Sequence, residues 1–184
     1  MQTFTKITTS VVKNGALSTL QITNVAKLIN QVYLQTESDF WPHNGLYERT
    51  NAVKLIRYIK NNELIIATIA DQIVGAVHVY PIENDHCGFG MLVASPKKRG
   101  LGIGTSLMKS VENWALANNY KTIQLELLKP KAYIHPEKEF LHKWYTELGY
   151  TFINKTTYGD LYPEQSHLLK IPCDFEIYQK KLKN

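Results

Sequence analysis

A glycine-rich and basic segment is the part of the sequence best suited to binding an anion. It runs from Leu92 to Thr105 and reads Leu-Val-Ala-Ser-Pro-Lys-Lys-Arg-Gly-Leu-Gly-Ile-Gly-Thr. Glycine permits positive φ and lets a ligand approach the backbone N–H groups closely. N–H groups at a helix N-terminus attract anions because the helix dipole is positive there. With Lys97, Lys98 and Arg99 beside these groups, the segment predicts a cradle for a pyrophosphate or polyphosphate.

Three classes of phosphate ligand could bind in such a cradle. A nucleoside-triphosphate P-loop is excluded because no lysine follows the glycines in the GxxxxGK[ST] pattern. A dinucleotide site fits poorly because the spacing is GxGxG and the segment follows the fourth predicted strand rather than opening a βαβ unit. Coenzyme A is the third ligand class. A glycine-rich helix entry with solvated lysines is the structural alternative.

The elements around the cradle follow from hydrophobic periodicity. Their order is strand, two helices, three strands, helix, strand, helix and two strands, which favours a mostly antiparallel sheet covered by helices. The second helix is predicted to bury Val53, Ile56 and Ile59. The predicted strands are 3–9, 64–70, 73–80, 89–94, 122–128, 150–153 and 175–180, and the predicted helices are 19–35, one containing 53–59, 102–119 and 137–148.

Composition limits the class of protein. The chain has 184 residues, of which 44% are hydrophobic and 20% charged, so one globular domain spanning 1–184 is expected. No apolar run is long enough for a membrane span. The formal net charge of +5 suits anionic ligands without indicating nucleic acid. Cys87 and Cys173 form no CxxC pair, so neither a metal site nor a disulfide is expected, and the absence of a signal-peptide pattern favours a cytoplasmic location.

Two segments give the sequence a resemblance to a known family. Arg99-Gly-Leu-Gly-Ile-Gly104 matches the R/Q-x-x-G-x-G/A signature of the GCN5-related N-acetyltransferase (GNAT) superfamily, between a strand and a helix. Trp144-Tyr-Thr-Glu-Leu-Gly-Tyr150 resembles a second signature, a helix with Tyr ahead of Gly-Tyr. The resemblance extends over roughly 63–153. It implies the α/β (α+β) GNAT fold, with a mostly antiparallel sheet of about seven strands, a splayed parallel pair and about four helices.

The resemblance also implies a cosubstrate, acetyl-CoA, lying where the two parallel strands splay apart. The strand backbone at Leu92 and Val93 would pair with pantetheine, and an N–H there would polarise the acetyl carbonyl. The remaining cofactor-binding candidates would hold the pyrophosphate: Lys98, Arg99, Gly100, Gly102, Gly104 and Thr105.

Tyr145 resembles the general acid that protonates the departing CoA sulfur. A phenol has a reference pKa of about 10 and a thiol of about 8.5, and pKa values this similar permit proton transfer from the phenol to the thiolate. Its alternative role is that of a core aromatic, because Leu141 and Leu148 lie at helical spacing from it.

An amine nucleophile must lose a proton before it attacks, and Glu126 is the candidate base. It alternates with Leu125 and Leu127 along a strand, so it points away from both. If the leucines face the core, Glu126 could also be a solvated or paired strand residue. His78 on the neighbouring hairpin is a candidate polar contact to the acceptor.

The loop after the first helix could form an acceptor pocket. Trp41 would supply an aromatic wall and Glu37 an acid that holds a cation. Ordinary loop packing explains these residues equally well.

The resulting hypothesis is an acetyl-CoA-dependent N-acetyltransferase that moves acetyl to a primary amine by direct attack in a ternary complex. Transfer of another acyl group and a non-catalytic CoA-binding regulatory module are the alternatives. The expected partner is a small-molecule or peptide amine, with no nucleic acid, membrane or metal, and a homodimer is possible within the family.

Overall fold

The protein was analysed as a computed structural model, which describes residues 6–43 and 45–183. Seven strands form one sheet in the order β1-β2-β3-β4-β5-β7-β6. The seven-stranded mixed sheet confirms the predicted fold class. Part of the first predicted strand, residues 3–5, lies outside the described residues. The strands are β1 (Thr8–Val11), β2 (Leu64–Ile69), β3 (Gln72–Glu83), β4 (His86–Ala94), β5 (Thr122–Pro130), β6 (Thr151–Thr157) and β7 (Cys173–Lys181).

Helices cover both faces of this sheet. On one face, α1 and α2 pack on the alternate strand residues Leu64 and Ile66. On the other face, α3 packs on Ile65 and Ala67. Strand alternation therefore sends successive β2 residues into two separate cores. The helices are α1 (Thr19–Thr36), α2 (Ala52–Lys60), α3 (Ile103–Ala117), α4 (Pro136–Glu147) and α5 (Tyr158–Leu161), and α5 was not predicted.

The buried face of α2 differs from the predicted one. Leu55 and Ile59 are buried, whereas Val53 is 77% exposed. Ile56 is also exposed. Of the three residues predicted to be buried, only Ile59 is. Leu55 lies one helical turn before it, and these two residues define the face that packs on α1. Gly149 follows the C-cap of α4 and has a φ of +91°, the left-handed conformation with which many helices end.

The strands β4 and β5 form the parallel pair, and they separate soon after they meet. They pair at three positions, His86–Thr122, Cys87–Ile123 and Gly88–Gln124. Beyond Gly88, β4 continues to pair with β3, and β5 continues to pair with β7 as far as Pro130. The sheet therefore opens between β4 and β5.

Candidate active site

Two cavities meet at the opening between β4 and β5. The first, which we call the cleft, has a volume of about 240 Å³ and is walled by α1, β4, β5 and α4. The second, which we call the tyrosine cavity, has a volume of about 490 Å³. It is named for Tyr47, Tyr58, Tyr80, Tyr158 and Tyr162 in its wall. The two share Arg49, Phe89, Gly90, Met91, Glu126 and Phe175.

A bulge in β4 lies at this junction. Ala76 pairs with Val93 and His78 pairs with Gly90, so Val77 opposes both Met91 and Leu92. Met91 has a φ of +52°, an uncommon value for a residue other than glycine. Bulges of this kind bend a strand and re-aim its backbone groups, and they are frequent beside active sites. Leu92 and Val93, the predicted backbone contacts, both line the cleft.

The glycine-rich turn lies at the N-terminus of α3, next to the cleft. Gly100 and Gly102 both have a φ of +80°, and no atom lies within 4 Å of where a Cβ would stand on either. The turn therefore has an open surface above its backbone. Lys98 ends a short 3-10 helix before the turn, Gly104 packs against Trp144 of α4, and Thr105 is exposed.

Arg99 connects this turn to the cleft. Its side chain lines the cleft and forms an ion pair of 3.2 Å with Glu137 of α4. Because the Arg99 side chain is 77% exposed, this pair contributes little to stability and leaves the guanidinium accessible. The turn, Arg99 and the bulge thus follow one another along a single side of the cleft.

Tyr145 lines the cleft from α4 and is 6% exposed. Its ring lies 5.9 Å from that of Phe89 on β4, and 6.0 Å from that of Tyr150. Burial raises the pKa of Tyr145 well above its usual value, with a smaller contribution from Tyr33. Tyr145 therefore keeps its proton at neutral pH, as a proton donor must. It is also part of the core on that face, as the alternative interpretation predicted, and its role as a general acid stays a prediction.

Glu126 faces both cavities. Leu125 and Leu127 are buried in the core that contains the α3 side chains, as the strand alternation predicted, and they also border the cleft. The Glu126 carboxylate accepts a hydrogen bond of 3.1 Å from the hydroxyl of Tyr162. It is the one acidic side chain in the wall of the tyrosine cavity among the described residues.

Three cations share that wall. Arg49 lies in the loop between α1 and α2, and its guanidinium lies 4.6 Å from the centroid of the Tyr33 ring. Lys54 and Arg57 project from α2. They lie three residues apart and therefore share one helix face, which is the exposed face that carries Tyr58. Within the described part of the chain, no carboxylate lies within ion-pair distance of these three side chains.

His78 also lines the tyrosine cavity, stacked on Tyr58 with ring centroids 3.7 Å apart. Burial and, to a smaller extent, the charges of Arg57 and Arg49 together lower the pKa of His78 from its ordinary 6.5 to about 4. Its Nε2 lies 3.6 Å from a carboxylate oxygen of Glu63, which is too far for a hydrogen bond. His78 is therefore a neutral imidazole at pH 7.

Glu37 is buried at the end of α1, where Lys138 of α4 contacts one of its oxygens and the indole N–H of Trp41 donates to the other at 2.8 Å. Burial alone would raise the pKa of Glu37, but the charges of Lys138 and Arg49 and these hydrogen bonds hold it below its ordinary value. Glu37 borders the cleft, so the ion pair joins two of the cleft's walls.

Trp41 lies outside the set of described residues that line the cleft and the tyrosine cavity. It is 2% exposed and packs in a third core with Phe40 and Phe175. Its ring stacks on Tyr47 at 3.8 Å, and Tyr47 lines the tyrosine cavity. Trp41 therefore packs behind Tyr47 and supports the wall of the tyrosine cavity without lining it. The acceptor contacts predicted for Glu37, Trp41 and His78 stay predictions.

Most of the residues that line the tyrosine cavity were not predicted from the sequence. Arg49, Lys54 and Arg57 come from the loop before α2 and from its solvent-facing side, where no motif marks them. The segment after β6 supplies Tyr158 and Tyr162. Their spacing of four residues on either side of Gly-Asp-Leu was a usable signal, because it places both rings on one side of a helical turn.

Neither a membrane-spanning helix nor a metal-binding cluster is present among the described residues. No helix there is long and apolar enough to cross a membrane. No group of three or more His, Cys, Asp or Glu side chains in the same ranges could hold a metal ion.

Comparison with known proteins defines the class of protein. The model of the acetyltransferase (GNAT) family matches residues 27–150, which is more than half of the chain. The chain therefore belongs to the acetyltransferase (GNAT) family and is an acyltransferase of that class. No curated protein matches the sequence.

Solved structures agree with this fold at low sequence identity. An aminoglycoside 6'-N-acetyltransferase complexed with coenzyme A superimposes with a TM-score of 0.71 and 15% identity, over 96% of this chain and 98% of that one. An agmatine N-acetyltransferase mutant gives 0.68 and 15%, over 96% and 99%. Rv2747 from Mycobacterium tuberculosis, in complex with CoA, gives 0.65 and 15%, over 96% and 99%.

Protonation of His78 should weaken the fold in mild acid. The unfolded chain protonates this histidine below about pH 6.5, whereas the folded protein leaves it neutral down to about pH 4. The unfolded state then binds more protons, so the free energy of unfolding falls as the pH drops through this window, by at most about 3 kcal/mol from this group. In urea unfolding at about pH 7.5 and about pH 4.5, we expect His78→Gln to lose less stability than the wild type. The exposed His167→Gln serves as the control, and an equal loss in all three proteins would contradict the assignment.

The Glu37–Lys138 pair should be a strong stabilising contact. Lys138→Met leaves the Glu37 carboxylate buried without a cation and should lower the free energy of unfolding by about 3–5 kcal/mol. Lys121→Met is the matched control, because it breaks the exposed 3.5 Å pair with Asp85. That loss should stay below about 1 kcal/mol. Urea denaturation measures both, and similar values for the two variants would refute the distinction.

Proposed function

We propose that this protein is an acetyl-CoA-dependent N-acetyltransferase in which the cleft holds the cosubstrate and the tyrosine cavity admits a primary amine. The observation that carries the proposal is the meeting of the two cavities at Glu126 and the β4 bulge. A donor and an acceptor that enter from opposite sides would bring their reacting atoms together at that point. Membership of the acetyltransferase family supports the same activity.

The cleft suits the pantetheine arm of acetyl-CoA. Beyond Gly88, the β4 edge that faces β5 has no partner strand, so its N–H and C=O groups point into the opening. An extended chain carrying amides can pair with such an edge, as peptides do with exposed sheet edges. Leu92 and Val93 would make these contacts.

The glycine turn suits the pyrophosphate. Its open surface at Gly100 and Gly102 lets phosphate oxygens reach the backbone N–H groups from Arg99 through Gly104 at the start of α3. Thr105, Lys98 and the exposed guanidinium of Arg99 add hydrogen-bond donors and positive charge. A coenzyme A complex of a structurally similar aminoglycoside acetyltransferase supports this class of cosubstrate.

The reaction would be direct attack of the amine on the thioester carbonyl. Acetyl-CoA supplies the activated acetyl group. Glu126, directly or through water, would accept the proton that the amine nitrogen loses. A backbone N–H of the bulge near Leu92 would stabilise the carbonyl oxygen as it gains charge. The C–N bond forms and the C–S bond breaks, which leaves a thiolate to be protonated.

Tyr145 would supply that proton. Its raised pKa makes it a weaker acid than a phenol in water. The same burial destabilises a thiolate in the cleft, so the pKa of the leaving group rises as well. Transfer from the hydroxyl to sulfur would move the negative charge to the Tyr145 phenolate, which would regain a proton from solvent once CoA leaves.

Acetyl-CoA binding can be tested through the glycine turn. At about 100-fold excess over Kd, the ligand should raise the melting temperature of the wild type by about 5–10 °C. Gly102→Glu should abolish the shift because it adds bulk and negative charge to the cradle. Gly15→Glu is the control, since Gly15 also has a positive φ, +79°, with open space around it. An unshifted wild type, or the same loss in both variants, would contradict the assigned cradle.

The role of Tyr145 can be tested by removing its hydroxyl. Tyr145→Phe should lower kcat for thiol release by about 10²–10⁴-fold, with the KM for acetyl-CoA within about threefold of the wild type. Tyr150→Phe is the matched control, because Tyr150 is buried in the same aromatic cluster and lies outside the described walls of the cleft. Its hydroxyl has no hydrogen-bond partner in the described structure, so its removal should leave kcat unchanged. Normal turnover in Tyr145→Phe would restrict Tyr145 to the core.

A further inference from the structure

We propose that the tyrosine cavity selects acceptors that carry an anionic group, a carboxylate or a phosphate, in addition to the amine that is acetylated. This inference rests on the proposed function, because it names the class of substrate for the same site. Its basis is the charge of the cavity wall, where Arg49, Lys54 and Arg57 oppose one carboxylate, that of Glu126.

Within the described residues these three cations form no ion pair. Glu37 acts on Arg49, and Glu63 on Arg57, only through charge interactions beyond ion-pair distance. Elsewhere, partly buried lysines are paired: Lys129 contacts Glu139 at 2.7 Å, and Lys180 contacts Glu112 at 2.6 Å. Like charges gathered in a cavity repel one another, and a low-dielectric wall focuses their field into it. A bound anion would remove that repulsion.

The polar groups of the wall also suit an anion. Arginine presents a planar fork of N–H donors that matches a carboxylate or a phosphate in two parallel hydrogen bonds. Arg57 is exposed and free to turn toward a ligand, and its guanidinium lies 5.5 Å from the centroid of the Tyr58 ring. His78 is neutral at pH 7, so the positive charge of the wall comes from the two arginines and Lys54.

Glu126 and the two α2 cations lie in different parts of the tyrosine cavity. Glu126 lies at the junction with the cleft, whereas Lys54 and Arg57 line the tyrosine cavity alone. An acceptor with an ammonium group at one end would place that end near Glu126 and the reacting thioester. Its anionic end would then reach α2. A purely cationic acceptor would meet three positive charges on the way to the same position.

Minimal pairs of amines test this selectivity. The pairs are 4-aminobutyrate with 1-aminobutane, lysine with cadaverine, and O-phosphoethanolamine with ethanolamine. Thiol release from acetyl-CoA gives kcat/KM for each, and we expect the anionic member of at least one pair to exceed its partner by about tenfold or more, since one charge-assisted contact is worth that much. The carboxylate and phosphate pairs distinguish the two sources of charge.

Variants of α2 connect the effect to the cavity. Arg57→Gln should reduce the advantage of the anionic member to about threefold or less, and Arg57→Glu should reverse it. Lys60→Gln is the control, because Lys60 is an exposed cation on the same helix outside the described wall of the cavity. A ratio that changes equally in Arg57→Gln and Lys60→Gln would overturn the assignment.

Binding is measured separately so that the inference does not depend on turnover. Ligand-observed NMR on the CoA-loaded protein compares the members of each pair at millimolar concentration. Tighter binding of the anionic member supports the inference even if no amine is acetylated, a result that would count against the proposed function alone. Equal or tighter binding and turnover of the members that lack the anionic group in every pair, or no binding by any amine, would overturn the inference.

Discussion

The separation of β4 from β5 after three residue pairs is the constraint on which the candidate site depends. A strand edge that loses its partner inside a protein leaves hydrogen-bonding groups unpaired, and such groups carry a free-energy cost when they are buried. The opening remains a site because each strand keeps a second neighbour, β3 for β4 and β7 for β5. Those outer pairings hold the two edges apart, and the unpaired edge of β4 is the surface that an extended ligand could complete.

Two features keep the opening in shape. The buried Glu37–Lys138 pair joins the end of α1 to α4, so the two helical walls of the cleft are connected above the sheet. At the other end, Gly104 packs against Trp144, which brings the start of α3 up to α4. A Cβ at position 104 would stand 3.3 Å from the Trp144 ring, so even an alanine there would require the ring to shift slightly. The same glycine therefore serves helix packing and keeps the turn close to the cleft.

The sequence predicted those parts of the fold that depend on local patterns. The glycine turn, the Tyr145 helix and the alternation around Glu126 all follow from residues close together in the chain, and the structure places Arg99, Glu126 and Tyr145 around one cleft. The tyrosine cavity was not predictable in this way. Arg49, Arg57, His78 and Tyr162 come from separate elements and meet only through tertiary packing. The buried face of α2 was wrongly predicted for the same reason. Val53 and Ile56 were expected in the core, which concealed that the exposed side of this helix borders the tyrosine cavity.

The cations of the tyrosine cavity also bear on the weakest step of the proposed chemistry, the loss of a proton from the acceptor. A primary ammonium has a reference pKa of about 10.4, so little of it is a nucleophile at neutral pH. Arg57 and Arg49 already lower the pKa of His78 in the same cavity. Their field would act in the same direction on an ammonium bound there, because it favours the neutral form of any base. If an anionic group on the acceptor supplies the binding energy, the same three charges can hold the substrate and ease its deprotonation, and Glu126 then needs only to receive the proton.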